Sequence, residues 1–114
     1  LLPQNNVPVF QGQLILLVSE RTKSRSEFFV SILQAYPNAI TIGSQTAGSN
    51  GNVRNMVLPG NTYAYFTGMG SYYGNGDQMQ RRGIKIDMPI TPSLEGIRMR
   101  KDEYLERAID FAKQ

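Results

Sequence analysis

The sequence predicts one α/β domain built around a strand–helix–strand unit. Residues 12–18 form a short apolar run, which is typical of a strand buried on both faces. Ala39–Gly43 predicts a second strand, so the two strands should be parallel with a right-handed crossover. Between them, apolar side chains recur at helical spacing, at Phe28, Phe29, Ile32, Leu33 and Tyr36. A chain of 114 residues is long enough for one such domain with its own core.

The remaining elements follow from local signals. The helix should begin at Ser24, because Ser24 and Glu27 have the spacing of a capping box, and Pro37 lies just past its end. Val53–Leu58 and Thr62–Thr67 predict a hairpin. Three further predictions are an extended lead-in over residues 1–11, a strand over 82–86 and an amphipathic helix over 101–113.

Composition excludes several kinds of site. The chain has no Cys, which removes disulfides, thiol nucleophiles and thiolate metal sites, and no His, which removes the commonest general base. We expect no cofactor. The net charge of +3 is mild and gives little reason to expect a nucleic-acid partner. The longest apolar run, Leu14–Val18, is far too short to span a membrane.

Charge placement is uneven along the chain. Between residues 28 and 76 the only charged side chain is Arg54. Because interface cores are depleted of charge, we expect this neutral surface to be covered by the remainder of the same polypeptide or by another subunit. A solvated surface of Asn, Gln, Ser, Thr and Gly is the alternative. The chain begins without Met and without the features of a signal peptide, so we expect it to be part of something longer.

Ser24 is the candidate of greatest interest. It follows a predicted buried strand and begins a helix, where free backbone N–H groups and the helix dipole favour negative charge. An attacking serine needs such donors for the developing oxyanion, and the N–H of Arg25 is the natural one. The alternative is structural, because a Ser followed three residues later by Glu is also an ordinary helix N-cap.

Four ordered segments, residues 16–29, 40–48, 80–87 and 102–108, together resemble the C-terminal processing (tail-specific) serine peptidases. The first contains Ser-x-Ser-Glu after a strand, and the third is similar to the family segment Q-x-x-G-I-x-P-D. The resemblance implies a ClpP/crotonase-like spiral of ββα units, here incomplete, with residues 1–114 as the C-terminal portion of the catalytic domain.

The resemblance also implies that Ser24 is the nucleophile and that the Arg25 N–H contributes to the oxyanion hole. Family members of the Ser–Lys type carry Lys at the position of Ser49, which has no basicity. Lys23 is a poor substitute, because neighbouring residues at a helix start point in different directions. The chain is therefore closer to the tricorn-like branch, in which a His earlier in the polypeptide is the base, and the fragment alone should be inactive.

The implied activity is endopeptidase action on peptides or unfolded proteins, and the family suggests a periplasmic or extracytoplasmic location. A non-catalytic relative that binds peptides or a partner is the alternative. Asp77 and Asp87 are candidates for the supporting acid by position, or solvated turn residues. Four tyrosines could line a peptide groove or be ordinary sheet residues: Tyr63, Tyr65, Tyr72 and Tyr73. Arg81 and Arg82 could hold a substrate carboxylate or be solvated surface residues.

Overall fold

The computed structural model describes residues 10–113, which form five strands and three helices. In chain order these are β1 (Leu14–Val18), α1 (Arg25–Leu33), β2 (Ala39–Gly43), β3 (Val53–Leu58), β4 (Thr62–Thr67), β5 (Met88–Pro89), α2 (Leu94–Arg98) and α3 (Glu103–Ala112). The predicted lead-in over residues 1–11 lies almost entirely outside the described residues.

A three-stranded parallel sheet carries the fold, with the strand order β1-β2-β5. β1 pairs with β2 along its whole length, from Leu14 opposite Ala39 to Val18 opposite Gly43. The short β5 extends the sheet on the far side of β2 and ends in Pro89, which an edge strand tolerates although proline has no N–H to donate. The parallel strand–helix–strand unit predicted from the sequence is confirmed.

The core is small and lies where the sheet meets α3 and the segment around residues 79–84. α3 packs against both β1 and β2. The buried apolar side chains of this core are Leu16, Val18, Ile42, Met79, Ile84 and Ala108. Within the described part of the chain, no helix has the length and apolar character needed to cross a bilayer.

The predicted hairpin forms but stands apart from the sheet. β3 and β4 pair antiparallel from Val53 opposite Thr67 to Leu58 opposite Thr62, and nearly every residue of both strands is exposed. The radius of gyration is 17.9 Å, whereas a compact chain of this length would have about 13 Å. The hairpin therefore adds surface to the molecule without adding core.

The strand predicted over residues 82–86 is wrong. Backbone groups of this segment bond to side chains instead of to a neighbouring strand. The Ile84 N–H donates to Thr46 Oγ1 at 2.9 Å, and the Lys85 N–H donates to the Tyr73 hydroxyl at 2.9 Å. The segment stays extended but irregular, and strand pairing starts only at β5.

The helices are only partly as expected. α3 is confirmed, and its N-cap Asp102 accepts a hydrogen bond from the Leu105 N–H at 3.0 Å. The short helix α2 was not predicted; its N-cap Ser93 accepts from the Gly96 N–H. α1 is confirmed, yet its apolar stripe does not pack on the sheet, because Phe29 is 60% exposed. The spacing of apolar residues therefore predicted helix α1 but not what covers its apolar face.

Candidate active site

Ser24 occupies a tight turn between β1 and α1. The Ser26 N–H donates to the Lys23 carbonyl at 3.1 Å, which closes a four-residue turn with Ser24 as its second residue. Its backbone angles, φ 51° and ψ −118°, are those of a type II′ turn, in which this position normally holds glycine. Such a conformation costs a side chain on the order of 1–3 kcal/mol and is found preferentially at functional sites.

The same geometry weakens the purely structural interpretation of Ser24 as a helix cap. An N-cap residue usually has extended backbone angles, which aim its side-chain oxygen at the N–H groups of the first turn. Ser24 and Glu27 form the reciprocal arrangement of a capping box, and the carboxylate half is well made, at 2.9 Å from the Ser24 N–H to Glu27 Oε2. The hydroxyl half is loose and gives no well-formed capping hydrogen bond.

Glu27 is the anchor of this region and is fully buried. Its carboxylate accepts four hydrogen bonds, from neutral donors at 2.7–3.0 Å: the N–H groups of Ser24, Gly48 and Ser49 and the hydroxyl of Thr46. A carboxylate in the first turn of a helix is also favoured by the helix dipole. These contacts tie the Ser24 turn to the loop that follows β2.

The loop after β2 is fixed on its other side by the segment around residue 81. The Arg81 N–H donates to the Gly48 carbonyl at 2.6 Å. Gly48 has φ +64°, and a Cβ there would lie 2.9 Å from the Arg81 carbonyl carbon, so no larger residue fits without movement. Thr46 completes the connection by donating to Glu27 and accepting from the Ile84 N–H. Three segments distant in sequence thus meet behind Ser24.

In front of Ser24 lies an open cavity of about 630 Å³, which is within the size range of ligand sites. Its walls come from the start of α1, the loop before β3 and the segment after β4. The lining residues are Ser24, Arg25, Phe28, Asn50, Gly51, Asn52, Val53, Met69, Gly70, Ser71 and Tyr72. Asn50 is buried and bonds through Nδ2 to Ser71 Oγ at 2.9 Å, which joins two of these walls.

The structure separates the sequence candidates into two groups. Arg25, whose N–H is the predicted oxyanion donor, is the first residue of α1 and lines the Ser24 cavity. Asp77 and Asp87 instead line a second cavity of about 710 Å³. Asp87 Oδ2 accepts the Thr41 N–H at 2.8 Å, which is a structural role beside the middle of β2. Neither carboxyl group is among the residues that face Ser24.

The tyrosines and arginines are divided in the same way. Tyr72 lines the Ser24 cavity, whereas Tyr73 and Arg82 line the second cavity. Tyr63 and Tyr65 are exposed on β4. Burial raises the pKa of Tyr73 above its ordinary value of 10.0; the nearby Glu27 carboxylate adds to this, and the hydrogen bond from the Lys85 N–H opposes it. Its phenol is therefore neutral at physiological pH.

The chemistry available at the cavity is limited. Ser24 supplies a hydroxyl and Arg25 a backbone donor and a cation, but the lining residues within the described chain include no His, Lys, Asp or Glu to accept a proton. Ser49, which the sequence resemblance aligns with the lysine of Ser–Lys peptidases, is not a lining residue, and its N–H donates to Glu27 Oε2 at 3.0 Å. Residues 10–113 also contain no cluster of three His, Cys, Asp or Glu side chains that could hold a metal ion.

Sequence reasoning missed two contributors to this site. The spacing of Ser24 and Glu27 predicts Glu27 only as a helix-start residue, although its carboxylate also holds the loop after β2. No sequence pattern points to Thr46. Only its place between a carboxylate and a buried N–H reveals its role, and a single Thr carries no local signal for such contacts.

Comparison with known proteins identifies the family. Residues 3–90 match Peptidase family S41. The chain belongs to this family. It is also 29% identical over 105 residues to an uncharacterized protein of Chlamydia muridarum, which covers 89% of this chain but 18% of that protein. The chain thus spans about a fifth of the curated relative that it matches.

Solved structures confirm the fold of this S41 family member. A putative peptidase from Parabacteroides merdae superimposes with a TM-score of 0.84 at 21% identity, covering 95% of this chain and 34% of that one. Mature CPAF complexed with lactacystin gives a TM-score of 0.73 at 24% identity, covering 87% of this chain and 19% of that one. The predicted α/β class is confirmed, and the fold resembles that of S41 peptidase domains.

Proposed function

We propose that residues 1–114 are the C-terminal portion of a serine endopeptidase catalytic domain in which Ser24 is the nucleophile. The observation that carries this proposal is the strained Ser24 turn, which opens on a cavity and directly precedes a helix. Membership of a peptidase family gives the class of chemistry. A serine that served only as a helix cap would have no need for glycine-like backbone angles.

The reaction follows from these positions. Ser24 Oγ attacks the carbonyl carbon of the substrate peptide bond, and its proton passes to a base. The N–H of Arg25 donates to the oxyanion that forms. The C–N bond then breaks, the leaving amine takes up the proton, and an ester joins Ser24 to the acyl fragment. Attack of water on this ester releases the acid and restores the hydroxyl.

The base is supplied from outside this chain segment. The chain has no His, and the described lining residues offer no other group that could take the proton. This requirement favours the tricorn-like branch of the family, with a His earlier in the polypeptide, and it means that residues 1–114 alone would not turn over substrate. The relatives are three to five times longer than the part that this chain matches, which leaves room for such a residue.

The substrates would be peptides or unfolded protein chains bound in extended form, with tail-specific action and an extracytoplasmic location suggested by the resemblance. The remainder of the polypeptide, or another subunit, would cover the neutral surface. Exposed apolar side chains on α1 and the hairpin support this assignment, including Phe28, Phe29, Ile32, Val57 and Phe66. A free-standing domain seldom exposes so many together.

A non-catalytic relative on the same scaffold is the second candidate, favoured by the missing proton acceptor beside Ser24. Such a protein would keep the cavity for peptide binding and would not acylate Ser24.

A fluorophosphonate probe on the full-length protein separates the two. The serine peptidase should be labelled at Ser24, located by mass spectrometry of the modified peptide. Ser24→Ala should abolish labelling, and the matched control Ser26→Ala, an exposed serine in the first turn of α1, should retain it. A folded full-length protein without label at Ser24 would support the binding module.

A further inference from the structure

We propose that the side-chain oxygen of Asn50, Oδ1, accepts a hydrogen bond from a backbone N–H of the substrate close to the bond that Ser24 cleaves. The inference rests on the proposed function of Ser24 and adds to it a residue that positions the substrate. Three observations carry it: Oδ1 has no hydrogen-bond partner, the amide group that carries it is fixed, and a shared contact holds Asn50 next to the Ser24 turn.

Asn50 is a buried polar residue whose amide is used on one side only. The residue is 7% exposed. Its side chain bonds through Nδ2, to Ser71 Oγ at 2.9 Å and to Met79 Sδ at 3.1 Å, and none of the described residues donates to Oδ1. Because no buried side-chain nitrogen or oxygen of the described residues lacks a partner, Oδ1 must be in contact with solvent. Asn50 lines the cavity in front of Ser24, so this is the space that Oδ1 reaches.

The two partners of Nδ2 fix the direction of this oxygen. Met79 is 1% exposed and belongs to the core. Ser71 is tied to the same segment, because its carbonyl accepts the Met79 N–H at 2.8 Å. These contacts orient the Nδ2 side of the planar amide toward the core, and they therefore turn Oδ1 of Asn50 away from it. An acceptor that is already held in one direction binds a donor without first losing rotational freedom.

Glu27 places Asn50 beside Ser24. One carboxylate oxygen of Glu27, Oε2, accepts both the Ser24 N–H at 2.9 Å and the Ser49 N–H at 3.0 Å. Asn50 is the next residue in the chain after Ser49. The Ser24 hydroxyl and the Asn50 amide therefore border one cavity at positions that the same buried anion sets.

A backbone N–H of the substrate is the donor that best matches this acceptor. Every peptide residue except proline carries an N–H group, and burying it without a partner costs free energy. In an extended chain successive residues are about 3.3 Å apart, so N–H groups recur close to the bond held at Ser24. A neutral carbonyl oxygen pairs with such a donor without burying a charge. When a substrate fills the cavity, Oδ1 loses its contact with water and needs this hydrogen bond in exchange.

The test uses the full-length protein and a series of peptides in which an ester oxygen replaces one backbone N–H at a time near the cleaved amide bond. In the wild type we expect one replacement to lower kcat/KM about tenfold, because Oδ1 is left unpaired. In Asn50→Ala the same replacement should change kcat/KM by less than about twofold, since the acceptor is already absent. Asn50→Leu is a second variant, with a side chain of similar size. Asn38→Ala, exposed in the turn before β2, is the matched control and should keep the wild-type effect.

Fluorophosphonate labelling of Ser24 keeps the two hypotheses apart, because the probe has no backbone N–H. Asn50 variants that are labelled but have lost the ester effect support the proposal. An absent ester effect in the wild type, or an equal effect in a labelled Asn50 variant, overturns it and leaves Ser24 as the nucleophile. Folded Asn50 variants that are no longer labelled also overturn it, because Asn50 would then act on Ser24 or its base. Wild-type protein without label at Ser24 overturns the proposed function, and this inference with it.

Discussion

The Glu27 carboxylate holds the backbone N–H of Ser24 at 2.9 Å while its other hydrogen bonds reach the loop after β2. The contact links two residues in the same turn to a loop that is distant in sequence. It explains how Ser24 keeps backbone angles that a serine adopts only at a cost. The buried Glu27 carboxylate therefore stabilises the glycine-like turn at Ser24. Its remaining hydrogen bonds come from the loop after β2, which the fold brings next to it.

Strain at Ser24 can be measured directly. Ser24→Gly should have a higher free energy of unfolding than Ser24→Ala by about 1 kcal/mol, because glycine adopts a positive φ without steric cost. The same pair of substitutions at Ser26, inside α1, should show the opposite order, since glycine in a helix costs roughly 0.5–1 kcal/mol relative to alanine. Denaturant unfolding checks both pairs. Equal effects at the two sites would show that Ser24 is not strained.

Loss of the Glu27 charge should affect both stability and reactivity. In Glu27→Gln the amide nitrogen must face donors that the carboxylate oxygen accepted from, leaving buried N–H groups unpaired at about 1–3 kcal/mol each. We expect a loss of at least about 2 kcal/mol and slower probe labelling of Ser24. Glu106→Gln, an exposed glutamate in the first turn of α3, is the matched control and should cost under about 0.5 kcal/mol. A Glu27→Gln variant as stable and reactive as wild type would contradict the anchoring role.

We expect the contribution of Thr46 to stability to come from its hydroxyl group and not from the volume of its side chain. Thr46→Val keeps the shape but leaves the buried Ile84 N–H without its acceptor, which should cost about 1–3 kcal/mol. Thr46→Ser retains the hydroxyl and should cost clearly less. Amide hydrogen exchange at Ile84 should accelerate in the valine variant and stay slow in the serine variant. Equal exchange rates at Ile84 in the two variants would show that the Thr46 hydroxyl does not hold the Ile84 N–H.

Tyr73 gives a prediction on pH. Because its pKa is raised in the folded protein, chiefly by burial, the unfolded chain loses the phenolic proton first. The contribution to stability is complete at neutral pH and is lost as pH rises above about 10, through the folded pKa. Tyr73→Phe should cost about 1 kcal/mol at pH 7, since the Lys85 N–H loses its acceptor, and the difference from wild type should shrink at alkaline pH. A difference independent of pH would contradict this.

The covered-surface proposal can be tested by cysteine labelling, since residues 1–114 contain no Cys. In the folded full-length protein, a cysteine replacing Phe29 should react with maleimide much more slowly than one replacing Lys113, with the labelled peptides identified by mass spectrometry. Both positions are exposed in the present structure. Equal labelling rates at the two positions would mean that the apolar stripe of α1 is exposed to solvent and that no further chain or subunit covers it.

Local pattern predicted the longer elements of the secondary structure but not the short β5 and α2. Apolar runs predicted β1 and β2, helical spacing predicted α1 and α3, and the turn residues predicted the hairpin, with bounds within three residues of those observed. The spacing of Ser24 and Glu27 likewise predicted the start of α1. These predictions succeed because backbone preferences and side-chain periodicity act over a few residues.

The sequence by itself thus determined an α/β chain of the S41 family with a serine at the start of a helix. Tertiary structure alone decided that Glu27 joins that serine to Thr46 and Gly48, that residues 82–86 do not form a strand, and that Asp77 and Asp87 face a different cavity. The physical reason is that a buried polar group must find its partners wherever the folded chain brings them, and those partners lie about twenty residues or more away.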